Sequence, residues 1–190
     1  MRGKAGKESQ KGMTLLEVLI VVAIVGILAA IAVGSFRETS DKYKVESEIK
    51  EMFANLMEVR GRAMQRSRIS FVRMLGNSYA TYEDTFPAPD GNGILEIAGT
   101  GGDKEVVRVT LAPAHRIDME RLRGVLMPGG LDNTFRFEHS GVASVTGLGF
   151  IRIITTNTGT RPDYDCINIG PTRVKMGQFN AANGGTCVEK

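Results

Sequence analysis

Residues 18–36 form an unbroken run of nineteen uncharged, mostly aliphatic residues, and no other feature constrains the chain as much. At about 1.5 Å of rise per residue such a run extends roughly 28 Å as a helix, close to the ~30 Å hydrocarbon thickness of a bilayer. The 24 basic and 21 acidic residues fall almost wholly outside it, in a remainder that alternates in polarity and is punctuated by most of the 23 glycines. Hydrophobicity concentrated in this way excludes an ordinary soluble cytosolic domain and predicts insertion into lipid. Ahead of the run, residues 1–12 carry Arg2, Lys4, Lys7 and Lys11 against the single acid Glu8. A basic leader of this kind stays on the cytoplasmic side, which puts the C-terminal bulk outside. Arg37, Lys42 and Lys44 beyond the run weaken that asymmetry without reversing it.

The stretch Ala30-Ile31-Ala32 is also an acceptable site for conventional signal peptidase, which would release a soluble β-rich protein. Glu17 argues against that alternative. A carboxylate within a membrane segment costs about 2.5 to 3.5 kcal/mol on insertion scales, and a signal peptide has no use for one. The nearest lysine, Lys11, lies six residues upstream, whereas a cut after Gly12 would create an α-amine at Met13, one helical turn from Glu17. The run from Gly12-Met13-Thr14-Leu15-Leu16-Glu17 through Ala29-Ala30-Ile31-Ala32 resembles the prepilin N-terminus of type IV pilins and type II secretion pseudopilins. The resemblance implies cleavage between Gly12 and Met13 by prepilin peptidase and N-methylation of Met13, which leaves the amine charged. It also implies that Glu17, fifth in the mature chain, pairs with the amine of a neighbouring subunit during filament assembly. Most members carry proline where this chain has Gly34; Gly26 and Gly34 allow a bend there without it.

Beyond the apolar run, Val45, Ile49, Met52, Leu56, Val59 and Ala63 recur at alternating steps of four and three, with Glu46, Glu48, Lys50 and Glu51 between them. This is an amphipathic helix, and with no proline between Met13 and Arg66 the pattern predicts one helix over 13–66, its 13–36 part serving as transmembrane and filament-core segment. Phe53, Met57 and Met64 widen the stripe, so it is expected to pack on its own domain rather than in a coiled coil. From residue 69 the period changes to two, predicting strands over 69–75, 78–83, 94–97, 106–111, 134–138, 148–156, 165–169 and 172–176. Turn-prone runs at 87–93, 99–103 and 127–130 separate them, while 116–123 shows no clear stripe and is left open as a short helix. The expected fold class is α+β: a long N-terminal helix packed on an antiparallel β-rich head over 67–190. The order of these elements, with Phe135-Arg136-Phe137-Glu138 and a closing Ile167-Asn168-Ile169-Gly170-Pro171-Thr172-Arg173-Val174-Lys175, is similar to the GspH and FimT group of minor pilins, from which it departs at Thr172 and Lys175.

Cys166 and Cys187 both fall in the last 25 residues of a head expected outside the cytoplasm, so a disulfide is the natural reading. His115 and His139 lie in no nucleophile or metal motif and read as surface or turn residues. Asp90, Asn92 and Glu96 offer three oxygen side chains yet lack a full calcium-loop series, and 99–104 lacks the Gly-Lys-Ser/Thr of a phosphate loop. Arg60, Arg62, Arg66, Arg68 and Arg73 form a cationic group with no acid from Val59 to Tyr82. Such a group serves to grip DNA phosphates or as solvated and subunit-contacting arginines. Loss of the leader leaves 20 bases and 20 acids, a balance that argues against a dedicated nucleic-acid binder. The sequence therefore predicts a non-enzymatic minor pilin or pseudopilin without cofactor. Its expected partners are prepilin peptidase, other pilins and bacterial inner-membrane lipid, its head is periplasmic, and a FimT-like DNA-binding pilin is the alternative.

Overall fold

The computed structural model describes residues 13–97, 101–118, 133–144, 149–156, 161–183 and 185–190, without the side chains of 32–38 and 183. The expected leader 1–12 with Gly12 and the turn at 127–130 lie outside the described residues, as does most of 116–123; Gly34 lies within the helix over Leu15–Arg66. The chain divides into two compact units, Met1–Thr39 and Ser40–Lys190.

In the first unit the described structure is helix α1 (Leu15–Arg66) up to Thr39. Its large apolar side chains from Leu15 to Ile31 are all exposed, from 45% at Val21 to 82% at Leu15. Because these positions occupy every direction around the axis, the segment is apolar all round rather than amphipathic. Among the described residues no helix is long and apolar enough to cross a membrane. Of the span expected over 18–36, the side chains described are those of 18–31.

In the second unit α1 continues to Arg66 and, among the described residues, ten strands follow: β1 (Ser70–Met74), β2 (Ser78–Glu83), β3 (Lys104–Thr110), β4 (His115–Asp118), β5 (Thr134–Phe137), β6 (Ala143–Ser144), β7 (Gly149–Thr155), β8 (Cys166–Ile169), β9 (Val174–Asn180) and β10 (Thr186–Glu189). They form two antiparallel five-stranded sheets, in the orders β3-β2-β1-β5-β6 and β10-β9-β8-β7-β4. The fold is α+β, as the change of period from 3.6 to 2 predicts.

The helical stripe is buried as its spacing requires. Val45, Ile49, Met52, Leu56, Val59 and Ala63 are each at most 5% exposed and share one core with Val72, Phe135, Phe137, Ile151, Ile153, Ile167 and Ile169. Residues two apart on a strand point the same way, so the pairs 135/137, 151/153 and 167/169 present one face of each sheet to the helix. Each such aliphatic side chain contributes on the order of 1.5–3 kcal/mol. Met57 and Met64 do not join the core: both remain exposed, because the helix buries one stripe and these two residues sit on its flank, about 100° or more round the axis.

Each sheet is also covered on its second face. Phe71, Ala80, Tyr82 and Leu95 form one small cluster, and Phe150, Cys166 and Cys187 with Phe179 form another. The first cluster explains a correction: residues 94–97 are not a strand. Leu95 plugs the cluster instead, while the neighbouring loop closes through mutual bonds between Glu96 and Asp103. Three strands went unforeseen, β4, β6 and β10, each of two to four residues. β4 occupies the start of the segment left open as a helix. β9 runs to Asn180, beyond the expected end at 176, since pairing with β10 extends it.

Candidate functional site

The start of α1 is built by a cap. Thr14 precedes the first helical residue, and its Oγ1 accepts the Glu17 backbone N–H at 3.3 Å while its carbonyl accepts the Val18 N–H at 3.2 Å. Thr14 and Glu17 thus hold the N-cap and N3 positions of a Thr-x-x-Glu capping signature. That spacing was legible in the sequence, but Glu17 was read there only as a charge. The acid also sits where the positive end of the helix dipole favours it. Met13 is 66% exposed, and among the described residues the Glu17 carboxylate has no hydrogen-bond or ion-pair partner. The helix start therefore displays an anion beside an exposed terminus-proximal residue, with the backbone donor already satisfied by Thr14.

The arginine group is dispersed over local partners. Arg60 donates to the Thr172 carbonyl at 3.1 Å, and Arg62 to Glu58 one turn earlier at 2.6 Å. Arg66 pairs with the buried carboxylate of Glu83 at 2.6 Å, and Arg68 donates to the Pro89 carbonyl at 2.7 Å. The Arg66 guanidinium is held above its ordinary pKa by the hydrogen bond and charge of Glu83. Arg73 lies half-buried on β1. The structure brings Arg62 and Arg66 together beside Met57 and Gly61 in one shallow depression, and sets Arg68 with Arg136 and His139 around another. Sequence proximity alone had grouped them. Only folding supplies Glu83 and the carbonyls of Pro89 and Thr172.

The acids of the head act mainly as scaffolding. Asp84 accepts the N–H groups of Asn92 and Gly93, and Asp103 accepts those of Thr85, Phe86 and Glu96. Burial pushes the Asp84 carboxyl above the ordinary aspartate value, against the pull of its two backbone donors. In the 90–96 segment Asn92 Oδ1 accepts the Ile94 N–H and Glu96 Oε1 accepts the Asn92 amide, so two of its three oxygen side chains hold the turn itself. No group of three metal-ligating side chains occurs among the described residues.

His115 is corrected from a surface residue to a core one. It is 1% exposed at the start of β4, and its imidazole shares a 2.5 Å hydrogen bond with Glu48 Oε2. The other Glu48 oxygen accepts the Ala112 N–H at 2.7 Å, so one helical carboxylate anchors the chain entering β4. Glu46, two residues earlier, does the same for Asp163 N–H at 2.8 Å. Both glutamates read as solvent-facing in the helical pattern, and their targets lie more than 60 residues away.

Cys166 and Cys187 are joined in a disulfide, as the sequence predicts. They lie on β8 and β10 with β9 between, so the bridge passes over Gly177 of β9. A Cβ at that position would collide with the Val188 carbonyl and approach Cys187 Sγ, which is why glycine stands there.

Comparison with known proteins divides along the same lines. Residues 8–33 match the prokaryotic N-terminal methylation motif. A fimbrial protein of Pseudomonas aeruginosa is 45% identical over 47 residues, 25% of this chain and 30% of its own length. A fimbrial protein of Moraxella nonliquefaciens is 36% identical over 87 residues, 46% of this chain and 49% of its own. The chain thus spans half or less of the length of these relatives. Among solved structures, the minor pseudopilin EpsH from the type II secretion system of Vibrio cholerae aligns with a TM-score of 0.51 at 12% identity, over 71% of this chain and 94% of that one. At that identity the likeness is one of fold.

Proposed function

We propose that this chain, a member of the type IV pilin and pseudopilin family, is a minor filament subunit of the GspH/FimT kind, processed by prepilin peptidase and incorporated through its N-terminal helix. The observation that carries this reading is the joining, in one chain, of a methylation motif over residues 8–33 to a two-sheet head with the fold of a minor pseudopilin. Cleavage between Gly12 and Met13 removes the basic leader and creates an α-amine that methylation leaves charged. The Glu17 carboxylate, without a partner among the described residues, is costly to hold in hydrocarbon by about 2.5 to 3.5 kcal/mol. Pairing with the Met13 amine of a neighbouring copy offsets that cost, so the subunit gains by leaving lipid for the filament. The apolar surface from Leu15 to Ile31, exposed on every side, is then covered by other subunits. Until extraction the helix rests in the inner membrane with the head in the periplasm. The role is structural: the chain is the substrate of the peptidase and catalyses nothing itself.

Replacing Glu17 by Ala or Gln tests this reading, because the Glu17 backbone N–H keeps its bond to Thr14 and the helix start is unaltered. Intact-mass measurement is expected to show the leader removed and the N-terminus methylated in both variants, while sheared filaments contain neither. Normal filament entry by the variants would refute the pairing. Working filaments that retain residues 1–12, or a mature chain beginning after Ala32, would refute the processing.

A further inference from the structure

At the outer edge of the second sheet, β10 pairs with β9 on one side and, among the described residues, with no strand on the other. Beside it opens a cleft of about 360 Å³ whose lining includes Arg152, Arg161, Asp165, Gln178, Phe179 and Lys190. Three cationic side chains there face one carboxylate. That carboxylate is already engaged: Asp165 Oδ1 accepts the Phe179 N–H at 2.6 Å, and Oδ2 lies 3.5 Å from Arg152 Nε. The Arg152 guanidinium is stacked 3.8 Å from the centre of the Phe179 ring, which fixes its plane at the wall of the cleft. Arg161 has no hydrogen-bond or ion-pair partner among the described residues, and Lys190 Nζ approaches only Asp163, at 3.9 Å. Val188, on the same strand edge, is 43% exposed.

We propose that the cleft of Arg152, Arg161 and Lys190, together with the open edge of β10, is a docking site for an extended acidic segment of a partner protein. Charge complementarity selects the carboxylates, since cationic groups outnumber acids in the cleft and a planar guanidinium matches a carboxylate bidentately. Edge geometry selects an extended chain: a strand added to β10 would place every second side chain over the cleft, whose lining includes the half-exposed Val188. A duplex nucleic acid uses neither the strand edge nor an apolar contact at Val188, so the same cations serve a peptide better. This site lies in the head and is independent of how the N-terminal helix is processed or paired.

The test uses the full chain in detergent micelles and a fluorescent alternating Glu-Val peptide of about eight residues, long enough to span a four-residue strand and its flanks. Fluorescence anisotropy is expected to show saturable binding that weakens about tenfold in Arg161→Glu and in Lys190→Glu. Both changes lie on exposed or half-exposed side chains and leave the Arg152–Phe179 stack intact. The same peptide N-methylated at alternate residues is expected to bind at least about tenfold more weakly, because it cannot pair with a strand edge. A Lys-Val peptide is expected not to bind. The proposal is overturned if the Glu-Val peptide fails to bind, if either reversal leaves its affinity unchanged, if N-methylation has no effect, or if a short DNA duplex binds more tightly and displaces it.

Discussion

Truncating His115 should cost more than the loss of one polar side chain, because its partner Glu48 would remain half-buried and short of a donor. The imidazole is 1% exposed and shares a 2.5 Å hydrogen bond with Glu48 Oε2, whose side chain is 16% exposed. A hydrogen bond to a charged partner is worth about 1.5–3 kcal/mol, and emptying a core site adds a cavity term. His115→Ala should therefore lower stability by about 2–4 kcal/mol. Glu48→Ala should cost a similar amount, since it also strands the Ala112 N–H. The two losses share one bond, so the double variant should fall short of their sum by about 1.5–3 kcal/mol. Urea unfolding followed by tyrosine emission suits the measurement, as the chain has no tryptophan and Tyr79 and Tyr82 are buried. Glu48→Gln keeps an acceptor for Ala112 and should be milder than Glu48→Ala. Additivity within about 0.5 kcal/mol would refute the reasoning and reduce the pair to two neighbours that do not interact.

Cys187→Ser opens a loop closed across 21 residues and should destabilise the head by about 3 kcal/mol; hydrogen exchange should quicken in β10 well before it does in the helical stripe. Asp165 is held above the ordinary aspartate value of 3.8, chiefly by burial, so the folded state binds its proton more tightly than the unfolded chain does. Stability contributed by that proton is present at low pH and lost as pH rises through the raised pKa. Asp165→Asn, which keeps an acceptor for the Phe179 N–H, should accordingly remove this decline. Equal pH slopes above 3.8 for the two proteins in urea melts would contradict the assignment. Burial pushes Tyr79 up to about 12, so an ultraviolet titration should show a late phenol ionisation, and Tyr79→Phe should remove that late step.

The division of labour between sequence and fold follows from the range of the interactions. Periodicity is local, so the stripe from Val45 to Ala63, most strands and the α+β class could be read directly from the chain. The N-terminal methylation motif was equally legible, because it lies in contiguous residues. The cysteine pair was readable too, since two cysteines allow only one intramolecular bond.

What the sequence could not disclose depends on partners brought from afar. Polarity placed Glu46 and Glu48 in solvent and His115 on the surface. Only the approach of 112–115 and of Asp163 to the helix makes them buried anchors. Residues 94–97 alternate like a strand, yet the second face of the first sheet needed a plug, and Leu95 serves it better as loop. The arginines form one group along the chain but divide in space: Arg62 and Arg66 share one depression and Arg68 lines another, while Glu83 and two backbone carbonyls engage Arg66, Arg60 and Arg68. Contiguous chemistry was thus determined by the amino-acid order alone. Which charges find partners, and where each partner comes from, was decided only when distant segments met.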